Sequence, residues 1–132
     1  MSSWERYGMS GRVRRVLEAV PLNNPQGHHF GRPYLSSYQI AIALDAEDPR
    51  LREDLGKAVG GRGTGSHTSL AQYIGNELSK QIRAQGDQHF VEGAFMSNQR
   101  VRSVVYQGVG GNDVVSSLAG TQFDMALSRI RQ

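Results

Sequence analysis

The stretch Gly60-Gly61-Arg62-Gly63-Thr64-Gly65-Ser66-His67 holds the residue types that most directly invite chemistry. Its glycines let the backbone take positive φ and clear side chains away from the N–H groups, so a phosphate or carboxylate can approach them. A helix start follows at Ser69, and the first N–H groups of a helix are anion donors in their own right. Gly61, Gly63, Gly65 and Ser66, with Arg62 as the cation, therefore form a candidate anion-binding loop. Gly60 and Gly65 match the outer glycines of G-x-x-x-x-G-K-[ST]. Ser66 and His67 stand where that motif needs Lys and Ser/Thr, and the segment before the loop reads as helix instead of strand, so a nucleotide P-loop is excluded. A dinucleotide fingerprint fails on the same ground. The competing reading is a solvent-exposed flexible connector.

Other chemistries have less behind them. His28, His29, His67 and His89 form no H-x-x-x-H or H-E-x-x-H pair, so no helix face presents two metal ligands, and they read as surface or loop histidines. No metal and no cofactor is expected. Asp45, Glu47, Asp48, Glu53 and Asp54 crowd together, but they surround a helix N-cap and first turn, where negative charge is favoured for structural reasons. No G-x-S-x-G elbow is present. The chain has no cysteine, which removes disulfides, thiolate metal sites and cysteine nucleophiles.

Basic residues carry a broader signal. Lys+Arg number 15 against 12 Asp+Glu, a net charge of +3, and Lys57 and Lys80 are the only lysines. Arginine suits phosphate because its planar fork offers paired donors. In a strand, Arg100 and Arg102 share one face by alternation, and Arg129 with Arg131 can extend that surface. On the helix that follows the glycine loop, Gln72, Asn76, Ser79, Lys80 and Arg83 form an outward face of types that hydrogen-bond bases and phosphates. Glu77 counts against it, and a merely solvated helix face is the competing reading.

These side chains must be positioned by elements that the sequence also announces. Met1 to Gly11 reads as an N-terminal arm anchored by Trp4, and residues 12–132 as one domain. Val13, Val16, Leu17 and Val20 fall on one helix face, and Pro21 ends that helix. Ser36 and Gln39 form a capping box, with Leu35 and Ile40 as a hydrophobic staple, for a central buried helix reaching about Ala46. Asp48 caps a short helix that begins with Pro49 and closes at Gly56. Ser69 and Gln72 form a second capping box, and Leu70, Ile74, Leu78 and Ile82 line the helix to Arg83. Gly75 inside that helix marks either a close neighbour or a tolerated defect. Thereafter the period changes to that of strands: His89 to Phe95, Arg100 to Tyr106, Val114 to Leu118, and a last one through Phe123, Met125 and Leu127, for which a short terminal helix is the competing reading.

The expected fold is α+β, with the N-terminal two thirds helical and a small antiparallel β-meander following, the element order of a winged helix. At 132 residues the chain has room for one core. The N-terminal segment lacks the apolar stretch of a signal peptide, and no apolar run is long enough for a membrane span, so a cytoplasmic protein is expected. The leading function is a non-catalytic domain that binds nucleic acid, DNA ahead of RNA, with Arg62, Lys80, Arg83, Arg100 and Arg102 on phosphates. The alternative is an oligomerising or adaptor protein that uses a sheet edge, since Val104-Val105-Tyr106 and Val114-Val115 are β-prone; homodimerisation suits either. An enzyme that takes a phosphorylated small ligand at the glycine loop ranks third.

Overall fold

A computed structural model describes residues 1–22, 25–61, 68–117 and 124–132. Its helices are α1 (Ser3–Arg6), α2 (Met9–Glu18), α3 (Ser37–Glu47), α4 (Pro49–Leu55) and α5 (Leu70–Gln85). Its strands are β1 (Leu35–Ser36), β2 (Val91–Met96), β3 (Ser103–Gln107), β4 (Asp113–Ser117) and β5 (Met125–Ile130). The chain is thus α+β, and it has no helix among the described residues long and apolar enough to cross a membrane.

Local chemistry fixes the helix ends. Ser36 Oγ accepts the Gln39 N–H at 3.3 Å and Gln39 Oε1 accepts the Ser36 N–H at 2.7 Å, closing the capping box that starts α3. Asp48 accepts the Arg50 N–H, Pro49 takes the first helical position, and Gly56 closes α4 at a φ of 65° that a Cβ would disfavour. Ile40, Ala41 and Leu44 of α3 are wholly buried and touch a core that also takes Met9, Val13 and Leu17 from α2, Leu51 from α4, and Leu70, Ile74 and Leu78 from α5. α3 is therefore the central helix, as its all-round apolar sequence requires.

α3 and α5 cross closely at Gly75. A Cβ built there would lie 2.8 Å from the buried hydroxyl of Ser37, which has no hydrogen-bond partner among the described residues. Gly75→Ala should therefore destabilise by roughly 1 kcal/mol despite alanine's better helix propensity. In a Ser37→Ala background the hydroxyl is gone and the next contact, at 3.6 Å, is ordinary. The same substitution should then stabilise, a reversal of sign that urea titration of the double-mutant cycle reads directly.

The sheet departs from a meander. β5 lies between β1 and β2, antiparallel to both, in the order β1-β5-β2, while β3 and β4 pair only with each other among the described residues. β1, two residues long and placed before α3, also interrupts the helical N-terminal two thirds. β2 does not pair with β3, nor β4 with β5, because the β3–β4 hairpin leaves the sheet and docks on α3. Its Tyr106 ring stacks on Tyr38, with centroids 5.6 Å apart, and its hydroxyl reaches Met125 Sδ at 3.0 Å. Burial raises the Tyr106 pKa above its ordinary value. Residues 118 and 123, expected in strands, lie outside the described residues. The N-terminal arm contains α1 and the first turn of α2, and it is held by Trp4, only 5% exposed.

Candidate nucleic-acid interface

The outer face of α5 assembles as its sequence implies. At 100° per residue, Gln72, Asn76, Ser79, Lys80 and Arg83 fall within an arc of about 100°. Gln72, Asn76, Lys80 and Arg83 are exposed, while Leu70, Ile74 and Leu78 bury the opposite side. Glu77 falls outside this arc. Its carboxylate accepts from Gln81, whose own side-chain oxygen meets His89 Nε2 at 2.8 Å, so the acid is turned into a hydrogen-bonded cluster away from the polar stripe.

Ion pairing separates the cations into two sets. Arg12 pairs with Asp48, Arg15 with Glu47, and Arg52 with Asp45, so the acidic stretch of α3 and α4 serves as structural counter-charge. Arg129 and Arg131, expected to extend a binding surface, are tied down instead. Arg129 pairs with Glu92, donates to the carbonyls of Phe30 and Arg32, and lies over Tyr34. Arg131 donates to the carbonyls of His89, Val91 and Gly86. Lys80, Arg83 and Arg100, by contrast, enter no ion pair among the described residues, and neither do Arg6, Arg32 and Lys57 elsewhere on the chain.

Arg100 and Arg102 do not share a strand face. β3 begins at Ser103, and Arg100 sits in a turn at a φ of 60°, rare for a residue with a side chain. The turn wins because other acceptors compete with a ladder: locally, Ser97 Oγ takes the Gln99 N–H and the Asn98 carbonyl takes the Val101 N–H, and from across the fold Asp124 takes the Asn98 N–H. Both arginines are exposed in the connection between β2 and β3.

The helix end beside the glycine loop is already satisfied by the chain itself. The Leu70 and Ala71 N–H groups donate to the carbonyls of Ala58 and Val59 at 2.7 and 2.9 Å. The Ser69, Gln72 and Tyr73 N–H groups are consumed by the capping box and the Ser69 carbonyl. No N–H from 69 to 73 is left for an anion. Gly60 and Gly61, at φ 137° and 97°, pass close to Tyr38 and to the Val115 carbonyl. Arg62, Gly63, Gly65, Ser66 and His67 lie outside the described residues.

His89, read from sequence as a surface or loop histidine, is buried at 3% exposure. Its Nδ1 accepts the Val91 N–H at 3.1 Å, which leaves Nε2 to donate to Gln81 Oε1, so the neutral ring is fully satisfied. Burial, with the nearby Arg131 and Arg14 charges, lowers its pKa below the ordinary 6.5. The unfolded chain therefore binds the proton first. This stability is complete above pH 6.5 and is lost as pH falls toward the lowered folded value. Melting temperature should drop from about pH 7 to about pH 5, and the drop should be shallower in His89→Asn. An equal slope in the variant would assign it to other groups. Among the described residues no three His, Asp or Glu side chains gather as a metal site.

Beside the polar stripe runs a groove of about 290 Å³ between α5 and strands β2 and β5, with Ser79 and Arg83 on its helical bank. Nothing in the sequence marks this groove, since its walls come from segments far apart in the chain. No protein-family model, no curated protein and no solved structure matches the chain.

Proposed function

We propose that the protein is a non-catalytic DNA-binding domain that lays the outer face of α5 against a duplex. The observation that carries this reading is the segregation of charge. Lys80 and Arg83 stand exposed beside amide and hydroxyl side chains and enter no ion pair among the described residues, while other arginines are spent on internal ion pairs. Asn76 is then assigned to base edges, and Lys80 and Arg83 to phosphates, since the side-chain oxygen of Gln72 is held by the Ser69 N–H. Arg62, Arg100 and Arg102 are assigned to phosphates. DNA is preferred over RNA because an α-helix enters the major groove of B-form DNA, whereas that of A-form RNA is too narrow.

The arrangement supports a winged-helix-like reading. α3 and α5 pack together, the β2–β5 pairing follows, and β1 fastens β5 beside α3. α4 and the glycine loop lengthen the connection between α3 and α5 well beyond the 3–4-residue turn of a helix-turn-helix.

Fluorescence anisotropy with a mixed-sequence duplex tests the proposal. Lys80→Ala with Arg83→Ala should weaken binding and make the slope of log K against log salt shallower by about 2, one unit for each phosphate that is no longer neutralised. Absence of binding by the wild type at low salt, where the electrostatic term is largest, would overturn it. A second reading, self-association, is favoured by β2, which among the described residues pairs only with β5 and carries the 70% exposed Phe95. Solution mass measurement separates the two.

A further inference from the structure

The groove between α5 and the sheet differs in character from the polar stripe beside it. Its floor is apolar, with Leu78 and Ile82 from α5 and Leu127 from β5. On β2, the position that faces Ile82 is a glycine, and Ala94 and Ala126 also line the groove. At Gly93 of β2, a Cβ would make ordinary contacts with Ile82 Cδ1 at 3.5 Å and the Leu127 carbonyl at 3.6 Å, so the missing side chain is what leaves the space open. One cation, Arg83, and the hydroxyl-bearing Ser79 and Ser128 are the polar residues of the lining. Arg83 has no ion-pair partner among the described residues.

From this geometry we infer that the groove binds a small amphipathic carboxylate, an apolar chain or ring that ends in one carboxyl group. The apolar part displaces water from Leu78, Ile82 and Leu127, and the guanidinium of Arg83 takes both carboxylate oxygens. A volume of about 290 Å³ suits a small organic acid. One arginine fork matches the two oxygens and the single charge of a carboxylate, whereas a phosphate monoester would keep a second negative charge uncompensated, since Arg83 is the one cation of the lining. Arg83 is also a proposed phosphate contact. An occupied groove would thus compete with DNA, a consequence that rests on the reading above, while binding in the groove does not.

The test is therefore made without nucleic acid. Octanoate is titrated into the ¹⁵N-labelled full chain, with 1-octanol as the uncharged control. Saturable shifts are expected at the amides of Ile82, Gly93, Ala94 and Leu127, with octanol shifting them far less. Arg83→Gln, an exposed substitution, should weaken octanoate by at least about tenfold. Gly93→Val should keep the native melting profile, because valine suits an extended strand, yet abolish the shifts by filling the groove. No saturation at millimolar octanoate, unchanged affinity in Arg83→Gln, or full binding by folded Gly93→Val would each overturn the proposal.

Discussion

Trp4→Ala should lower stability by about 3–5 kcal/mol, which for a chain of this size means roughly 10–20 °C in Tm. The indole is 5% exposed, meets Tyr73 edge-on at 5.7 Å between centroids, and donates from Nε1 to Ser10 Oγ at 2.9 Å. Ser3 adds a 2.7 Å bond to the Tyr73 hydroxyl. Removing the ring opens a cavity between α1, α2 and α5 that a four-residue helix cannot collapse to fill. Trp4→Phe keeps most of the apolar packing and gives up only the Ser10 bond, so it should cost about 1 kcal/mol for the bond plus part of the buried area. Calorimetry of the three proteins decides the matter. A Tm for Trp4→Ala within about 2 °C of wild type would mean that the arm is no part of the cooperative unit. Trp4 is the only tryptophan, so its fluorescence reports arm docking in the wild type without labelling.

Arg129→Ala should cost about 2–4 kcal/mol, and Arg129→Lys should recover less than half of that. One guanidinium pairs with Glu92, holds the carbonyls of Phe30 and Arg32, and stacks over Tyr34. A lysine ammonium has the charge but lacks the planar fork that serves these groups together. Alanine would leave a half-buried Glu92 with only the longer Arg131 contact, at 3.9 Å. Chemical denaturation gives the magnitude. Limited proteolysis gives the location, with new cleavage expected between His28 and Tyr34 in the alanine variant while α3 and α5 stay protected. Cleavage spread evenly along the chain would show that Arg129 acts on global stability alone.

Features decided by near neighbours in sequence were legible. Ser36 with Gln39, Ser69 with Gln72, and Asp48 before Pro49 start helices because each donor and acceptor lies within three residues. The stripes at Val13 and Leu17, and at Leu70, Ile74 and Leu78, predicted their buried faces; Gly75 left a close neighbour and a tolerated defect open, and the fold brings Ser37 against it. The outer face of α5 was readable for the same reason. What failed depended on distant partners. β1 is too short to show alternation, and nothing local tells β5 to pass over β4 and pair with β2 and β1. The burial of His89 follows from Gln81 one helix end away, and the capture of Arg129 and Arg131 follows from carbonyls and carboxylates brought in by the fold. Arg100 was misplaced because Ser97 and Asn98 form a turn that outweighs the strand propensity around it.

The central position of β5 also bears on how the molecule is made. Ser128 pairs with Leu35 and Gly93 at once, so the Leu35 pairing closes a loop that contains α3, α4, α5 and the entire β3–β4 hairpin. Closing so long a loop carries a larger entropy cost than packing α2 on α3 or α3 on α4, which join near neighbours in the chain. Helix contacts can therefore form early, while the three-stranded sheet waits for a strand that arrives from far away. Until it does, the edges of β1 and β2 have no partner, and the interval before β5 inserts is when the chain is most exposed to pairing with other molecules.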